Sequence, residues 1–184
     1  MHNKEAVYNL LLMIVCWVST TFMYFLVIFS VKYLPGNFFV NQIVSGFSCF
    51  GFLIAPLLAK KFNNKQILIL GYIVSLIFLI VMLIVEYSTI NAVAYSFIFL
   101  LFKCGVSLSF LSVFVIHYDL FETQFIATSY GITNIVSRLI TMGAPITAEL
   151  KDSKIPIFIM LAFNIIALLA SYFLKLNLNK VTLE

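Results

Sequence analysis

Acidic side chains are scarce in this chain. Glu5, Glu86, Asp119, Glu122, Glu149, Asp152 and Glu184 are the only ones among 184 residues, and all lie near the ends of apolar runs or in the links between them. No carboxylate is therefore placed to neutralise a cation at the middle of a run. Cysteine is also sparse. Cys16, Cys49 and Cys104 fall inside apolar runs, without CxxC spacing or a histidine neighbour, so neither a disulfide framework nor a zinc site is indicated and the three read as packing residues. No Ser-His-Asp grouping, metal cluster, P-loop or glycine-rich nucleotide motif occurs, so the chain is not expected to be an enzyme, and no cofactor is expected. The net charge of +4 does not point to nucleic acid, because the lysines are scattered over run ends rather than gathered in one stripe.

Apolar residues are abundant: 63% hydrophobic against 10% charged, with a mean hydropathy of +1.12. No ordinary water-soluble core hides that much apolar surface, so the chain reads as an all-α, multi-pass integral membrane protein with lipid as a partner. A spanning helix needs roughly 20 mostly apolar residues. Windows of that length fall at about 6–31, 38–59, 67–85, 92–116, 127–148 and 155–174, forming a single six-helix bundle over residues 1–184. The first window follows Lys4 but is far longer than a signal-peptide core of about 7 to 15 residues, so it reads as a true span.

An even number of spans puts both termini on one side, together with Lys4, Lys60, Lys61, Lys65, Lys175 and Lys180, while Lys32, Lys151 and Lys154 face the other. The positive-inside rule assigns the richer side to the cytoplasm or its organellar equivalent. Short links mark the turns: Leu34-Pro35-Gly36-Asn37, the basic stretch 60–65, Glu86 to Asn91, the longer 117–126, and Glu149 to Lys154. Gly46, Gly51, Gly105, Gly131 and Gly143 are small enough for close helix approach, and Pro56 and Pro145 are expected to kink their helices.

Lys103 and Arg138 stand near the middle of the fourth and fifth windows. A charge at the centre of a membrane helix costs about 2.5–3.5 kcal/mol even on the lenient insertion scale, so it is kept where it faces a protected interior or a ligand. Helical spacing lines up Gly131, Asn134, Arg138, Thr141 and Pro145 on one face, and Lys103, Ser107, Phe110 and Phe114 on another. Positive charge beside flat apolar surface suits an amphipathic organic anion. The competing role for the two cations is bonding to helix carbonyls or to acids of another chain. His117, at the end of the fourth window, reads as an interfacial residue.

Four stretches carry a family likeness: Trp17-Val-Ser-Thr-Thr-Phe-Met-Tyr24-Phe25, Phe102-Lys103-Cys-Gly-Val-Ser-Leu-Ser-Phe110, Tyr118-Asp119-Leu120-Phe121-Glu122-Thr123, and Ser137-Arg138 through Ala144-Pro145, with Thr147-Ala148-Glu149-Leu150 after them. In order and spacing they resemble the second half of an organic ion transporter of the major facilitator superfamily. The resemblance implies that the six spans are helices seven to twelve of a twelve-helix carrier. Basic residues at the positions of Lys103 and Arg138 imply the anion-transporting branch. It also implies a substrate site containing Tyr24, Phe25, Phe110, Phe114 and Asn134 beside Lys103 and Arg138, and a plasma-membrane location, with an organellar inner membrane as the other choice.

The chain departs from that family at its charge latches. Asp119-Leu-Phe-Glu122-Thr is followed by Gln124-Phe125-Ile126 with neither proline nor arginine, Asn63-Asn64-Lys65 stands where a Gly-Arg-Arg turn is usual, and Lys175-Leu-Asn replaces a Pro-Glu-Thr ending. Two functions follow. One is a half-transporter moving a small organic anion by rocking against a second six-helix bundle; the other is a degenerate half kept as a structural subunit of a larger membrane complex.

Overall fold

The computed structural model describes residues 2–34, 37–85, 91–150 and 154–175. It consists of α1 (His2–Ser30, prolonged by a 3-10 turn Val31–Tyr33), α2 (Phe38–Gly46), a 3-10 turn (Phe47–Cys49), α3 (Phe50–Ala59), α4 (Asn64–Ile84), α5 (Ala92–Leu120), α6 (Thr123–Thr141), α7 (Ala144–Ala148) and α8 (Lys154–Phe173). There is no strand among the described residues. The turns expected at Pro35-Gly36, at 86–90 and at 151–153, and the charges of Lys4 and Lys180, lie outside the described residues.

Two starts are fixed locally. The Asn37 side chain accepts the Phe39 amide at 2.9 Å, and the Asn63 amide donates to Gln66 Oε1 at 3.2 Å, so the first turns of α2 and α4 have partners for otherwise unpaired groups. Residues 117–120, expected in a link, continue α5 instead. The connection to α6 shrinks to Phe121 and Glu122.

Among the described residues, five helical stretches are long and apolar enough to cross a membrane: Glu5–Tyr33, Phe38–Ala59, Asn64–Ile84, Ala92–Leu120 and Lys154–Phe173. The expected span 127–148 is not one of them. Asn134, Ser137 and Arg138 dilute the apolar character of α6, and the helix ends at Thr141, before Gly143. Pro145 does not kink a continuous helix. It sits in the first turn of α7, where its missing amide hydrogen has no intrahelical partner to lose.

Long-range contacts nonetheless carry α6 and α7 along α1. Tyr130 packs on Trp17 at 5.4 Å between ring centroids, Thr141 Oγ1 donates to Thr21 Oγ1 at 3.2 Å, and Lys32 pairs with Glu149 at 3.1 Å. At the opposite end, Asn9 and Lys175 exchange bonds of 3.0 and 3.2 Å, so the start of α1 meets the end of α8. That end is laced further. Asn64 Nδ2 donates to Asp119 Oδ2 at 2.6 Å, and Lys65 Nζ donates to the carbonyls of Tyr172 and Leu174 at 2.8 and 2.7 Å. A cation there also suits the negative end of the α8 dipole.

α1 and α5 form the centre of the bundle: 61% and 56% of their apolar windows are buried, against 22% for Phe38–Ala59 at the periphery. Trp17, Tyr72, Phe102, Met13 and Leu26 are among the fully buried side chains. α4 and α5 cross through two small-residue pairs, Gly71 with Ser75 and Gly105 with Ser109. A Cβ added at Gly105 would stand 2.7 Å from the Ser75 nitrogen and 3.1 Å from the Gly71 carbonyl oxygen. Gly46 and Gly131, expected as close-approach points, have nothing within 4 Å of such a Cβ.

Candidate functional site

The fully buried residues of the peripheral span are all small or polar: Asn41, Ser45, Ser48, Gly51 and Ala55. They form one stripe against α5. Ser96 Oγ donates to Asn41 Oδ1 at 2.7 Å, Lys103 Nζ donates to the Ser45 carbonyl at 3.2 Å and to its hydroxyl, and Gly51 lies against the Cys104 carbonyl. The Ser45 carbonyl also receives the Ser48 hydroxyl at 2.7 Å. Side-chain donors thus hold this carbonyl where α2 gives way to the 3-10 turn at Phe47–Cys49, the kind of competition that breaks a helix. The break lies well before Pro56.

Lys103 is therefore engaged. It is 9% exposed, and its partners are a backbone oxygen and a hydroxyl at the carbonyl end of α2, not a carboxylate. Of the two roles weighed for it, bonding to helix oxygens is the one these contacts display.

The four expected aromatic residues do come together. Tyr24 stacks on Phe110 at 4.6 Å and meets Phe25 at 5.7 Å, and Phe110 meets Phe114 at 5.2 Å. Three further rings, not singled out from the sequence, complete a column: Phe52 lies 6.2 Å from both Tyr24 and Phe110, Trp17 lies 4.4 Å from Phe114, and Tyr130 lies 6.2 Å from Phe114. Trp17 stands seven residues before Tyr24 on α1, but Phe52 and Tyr130 have no aromatic at helical spacing on α3 or α6, so spacing did not single these rings out.

Arg138 differs from Lys103. It is exposed, and no hydrogen bond, ion pair or cation-ring contact joins its guanidinium to a described residue. On α6 it lies between Tyr130, packed on Trp17, and Thr141, bonded to Thr21, and so at the depth of the aromatic column. Asn134, one turn earlier, is half-buried and bonds its own helix at the Tyr130 carbonyl, 3.0 Å away. The face of α6 turned inward is Ser129, Thr133 and Ser137; the expected face of Gly131, Asn134, Arg138, Thr141 and Pro145 is the margin beside it. Ile135, Leu139, Ile140 and Met142 are exposed.

His117, expected to meet water, is enclosed instead. It is 0% exposed, packed 4.8 Å from the Phe121 ring and 5.7 Å from that of Tyr130, with Nε2 3.0 Å from Ser129 Oγ. The extension of α5 past residue 116 carries it into the bundle. Among the described residues no three His, Cys, Asp or Glu side chains converge as metal ligands.

The site thus has an aromatic column on α1, α3, α5 and α6, an unengaged guanidinium at its depth, and an ammonium committed to the peripheral span. Neither family models nor curated proteins match the chain.

Proposed function

We propose that this chain is one half of a membrane carrier of the major facilitator type and that it moves an organic anion together with a second six-helix bundle. Along α1, α6 and α7 would then serve as the sixth crossing, made polar because it faces the transport path and the partner bundle rather than lipid alone. The observation that carries the reading is Arg138: a guanidinium at bundle depth, exposed, with no bond to any described residue, beside a column of rings suited to an apolar or aromatic body. Arg138 is the anion ligand. Asn134 is the adjoining polar contact, and Tyr24, Phe25, Phe110 and Phe114 are the apolar wall. Lys103 is a positioning residue that holds the broken span on α5.

The test is uptake of labelled benzoate into vesicles from cells expressing the full chain. Losing one charge-assisted contact costs about 1.5–3 kcal/mol, so Arg138→Ala should lower the apparent affinity roughly 10- to 150-fold. Uptake that survives Arg138→Ala unchanged would remove Arg138 from the path.

A second reading is favoured by a specific set of contacts. Asn64 on Asp119, Lys65 on the end of α8 and Asn9 on Lys175 tie one end of the bundle to itself, with polar groups that a carrier would use to engage and release its other half. A non-transporting subunit of a larger complex would have those ties. Absence of benzoate uptake together with stoichiometric co-purification with such a complex in mild detergent selects this reading.

A further inference from the structure

Two buried polar atoms at the edge of the aromatic column lack a hydrogen-bond partner among the described residues: indole Nε1 of Trp17 and imidazole Nδ1 of His117. Trp17 is 1% and His117 0% exposed. Their chemical characters follow from a third residue. Ser129 Oγ lies 3.0 Å from His117 Nε2, 2.8 Å from the Phe125 carbonyl oxygen and 3.0 Å from that of Ile126. A hydroxyl has one proton and a carbonyl only accepts, so the Ser129 proton goes to a carbonyl and its oxygen accepts from Nε2–H. Nδ1 is then a bare acceptor, while the indole N–H can only donate.

The two rings are neighbours. Their centroids stand 6.1 Å apart with planes at 87°, and the Tyr130 ring lies 5.4 Å from one and 5.7 Å from the other. Phe114 on the indole side and Phe121 on the imidazole side complete an apolar cage. Around the imidazole, α1 contributes Trp17, α6 contributes Ser129 and Tyr130, and α5 itself contributes Tyr118 and Phe121. None of these is a carboxylate or a cation.

We infer that a single water molecule is bound between Trp17 and His117, accepting from the indole N–H and donating to Nδ1. Arms of about 2.9 Å at a tetrahedral angle separate the two nitrogens by about 4.7 Å, a span compatible with rings 6.1 Å apart at their centroids. One donor and one acceptor left over in the same cage are the complement of one water and of no ion. The water joins α1 to α5, and through Nε2 and Ser129 the link continues to α6. It thus pins three of the four helices that carry the aromatic column and fixes the His117 tautomer. The inference stands whether or not the chain transports.

Trp17 is the only tryptophan, so its indole gives one resonance. The full chain is labelled with ¹⁵N at tryptophan and histidine and observed in detergent micelles. The expected result is an indole proton that is protected from bulk exchange yet cross-relaxes with a long-lived water, and a His117 that is protonated on Nε2. His117→Phe should shift the indole resonance and abolish the water cross-peak. If that variant does not fold, Ser129→Ala serves instead: it leaves both water-binding atoms in place, so the cross-peak should persist, and its loss counts against the site. A direct ¹⁵N–¹⁵N coupling between Trp17 and His117, a proton on Nδ1, or an indole proton exchanging at the bulk rate would each overturn the inference.

Discussion

Replacing Gly105 by alanine should loosen the bundle where α5 crosses α4. The new Cβ would lie 2.7 Å from the Ser75 nitrogen and 3.1 Å from both the Ser75 Cα and the Gly71 carbonyl oxygen, whereas ordinary contact begins at 3.4 Å. All three neighbours are backbone atoms. No side chain can swing aside, so α4 and α5 must separate by up to about 0.7 Å at this point. A gap of that size forfeits roughly a quarter to a half of each dispersion contact, and in a membrane those contacts are a main force between helices. Overpacking of this kind costs about 1–3 kcal/mol, offset by about 1 kcal/mol from the better helix propensity of alanine. A net loss of up to about 2 kcal/mol remains. Gly131→Ala is the control, because nothing lies within 4 Å of its Cβ and only the propensity gain, up to about 1 kcal/mol, should appear. Both variants are unfolded with increasing SDS fraction in mixed micelles, followed by far-ultraviolet circular dichroism and the fluorescence of the single tryptophan. If Gly105→Ala unfolds beyond the wild-type midpoint, or Gly131→Ala unfolds before Gly105→Ala, the reasoning from backbone contact is wrong.

Other outcomes follow from the polar interior. Lys103→Ala should free the end of α2, seen as faster amide exchange across residues 41–49 with α4 and α8 unchanged; uniform acceleration would count against a local role. Ser75→Ala removes the partner 2.6 Å from Asn164 Nδ2, and since Asn164 Oδ1 already lacks one, the buried amide would be wholly unpaired. Its expected cost is about 1–3 kcal/mol, larger than that of the double variant Ser75→Ala/Asn164→Leu, and the reverse order in equilibrium unfolding would refute it. Glu149→Gln should leave the unfolding midpoint unmoved, because the Lys32 and Glu149 side chains are 46% and 67% exposed.

The column of rings shows how far the sequence could be read. Phe110 and Phe114 were recoverable because helical spacing and the family resemblance agree on them, and Tyr24 and Phe25 from the resemblance alone. Trp17, Phe52 and Tyr130 were not, because their membership depends on how α1, α3 and α6 cross α5, and no spacing within one helix encodes a crossing. Gly71 was missed although its partner Gly105 was found. Lys103 shows the opposite limit. Its position announced a buried cation, but a lysine stem is long enough to reach a ligand or a neighbouring helix, and only the placement of Ser45 decides between them.

Composition and run length alone settled that this is a helical, multi-pass membrane protein, since burying so much apolar surface in water-soluble form is beyond any single core and backbone groups in lipid must bond within a helix. The tertiary structure alone decided that Arg138 has no partner among the described residues while Lys103 is tied down, that His117 is enclosed, and that the polar α6 runs along α1. Each of these turns on which neighbour stands within a bond length of a side chain, a property of helix packing that hydropathy along the chain does not contain.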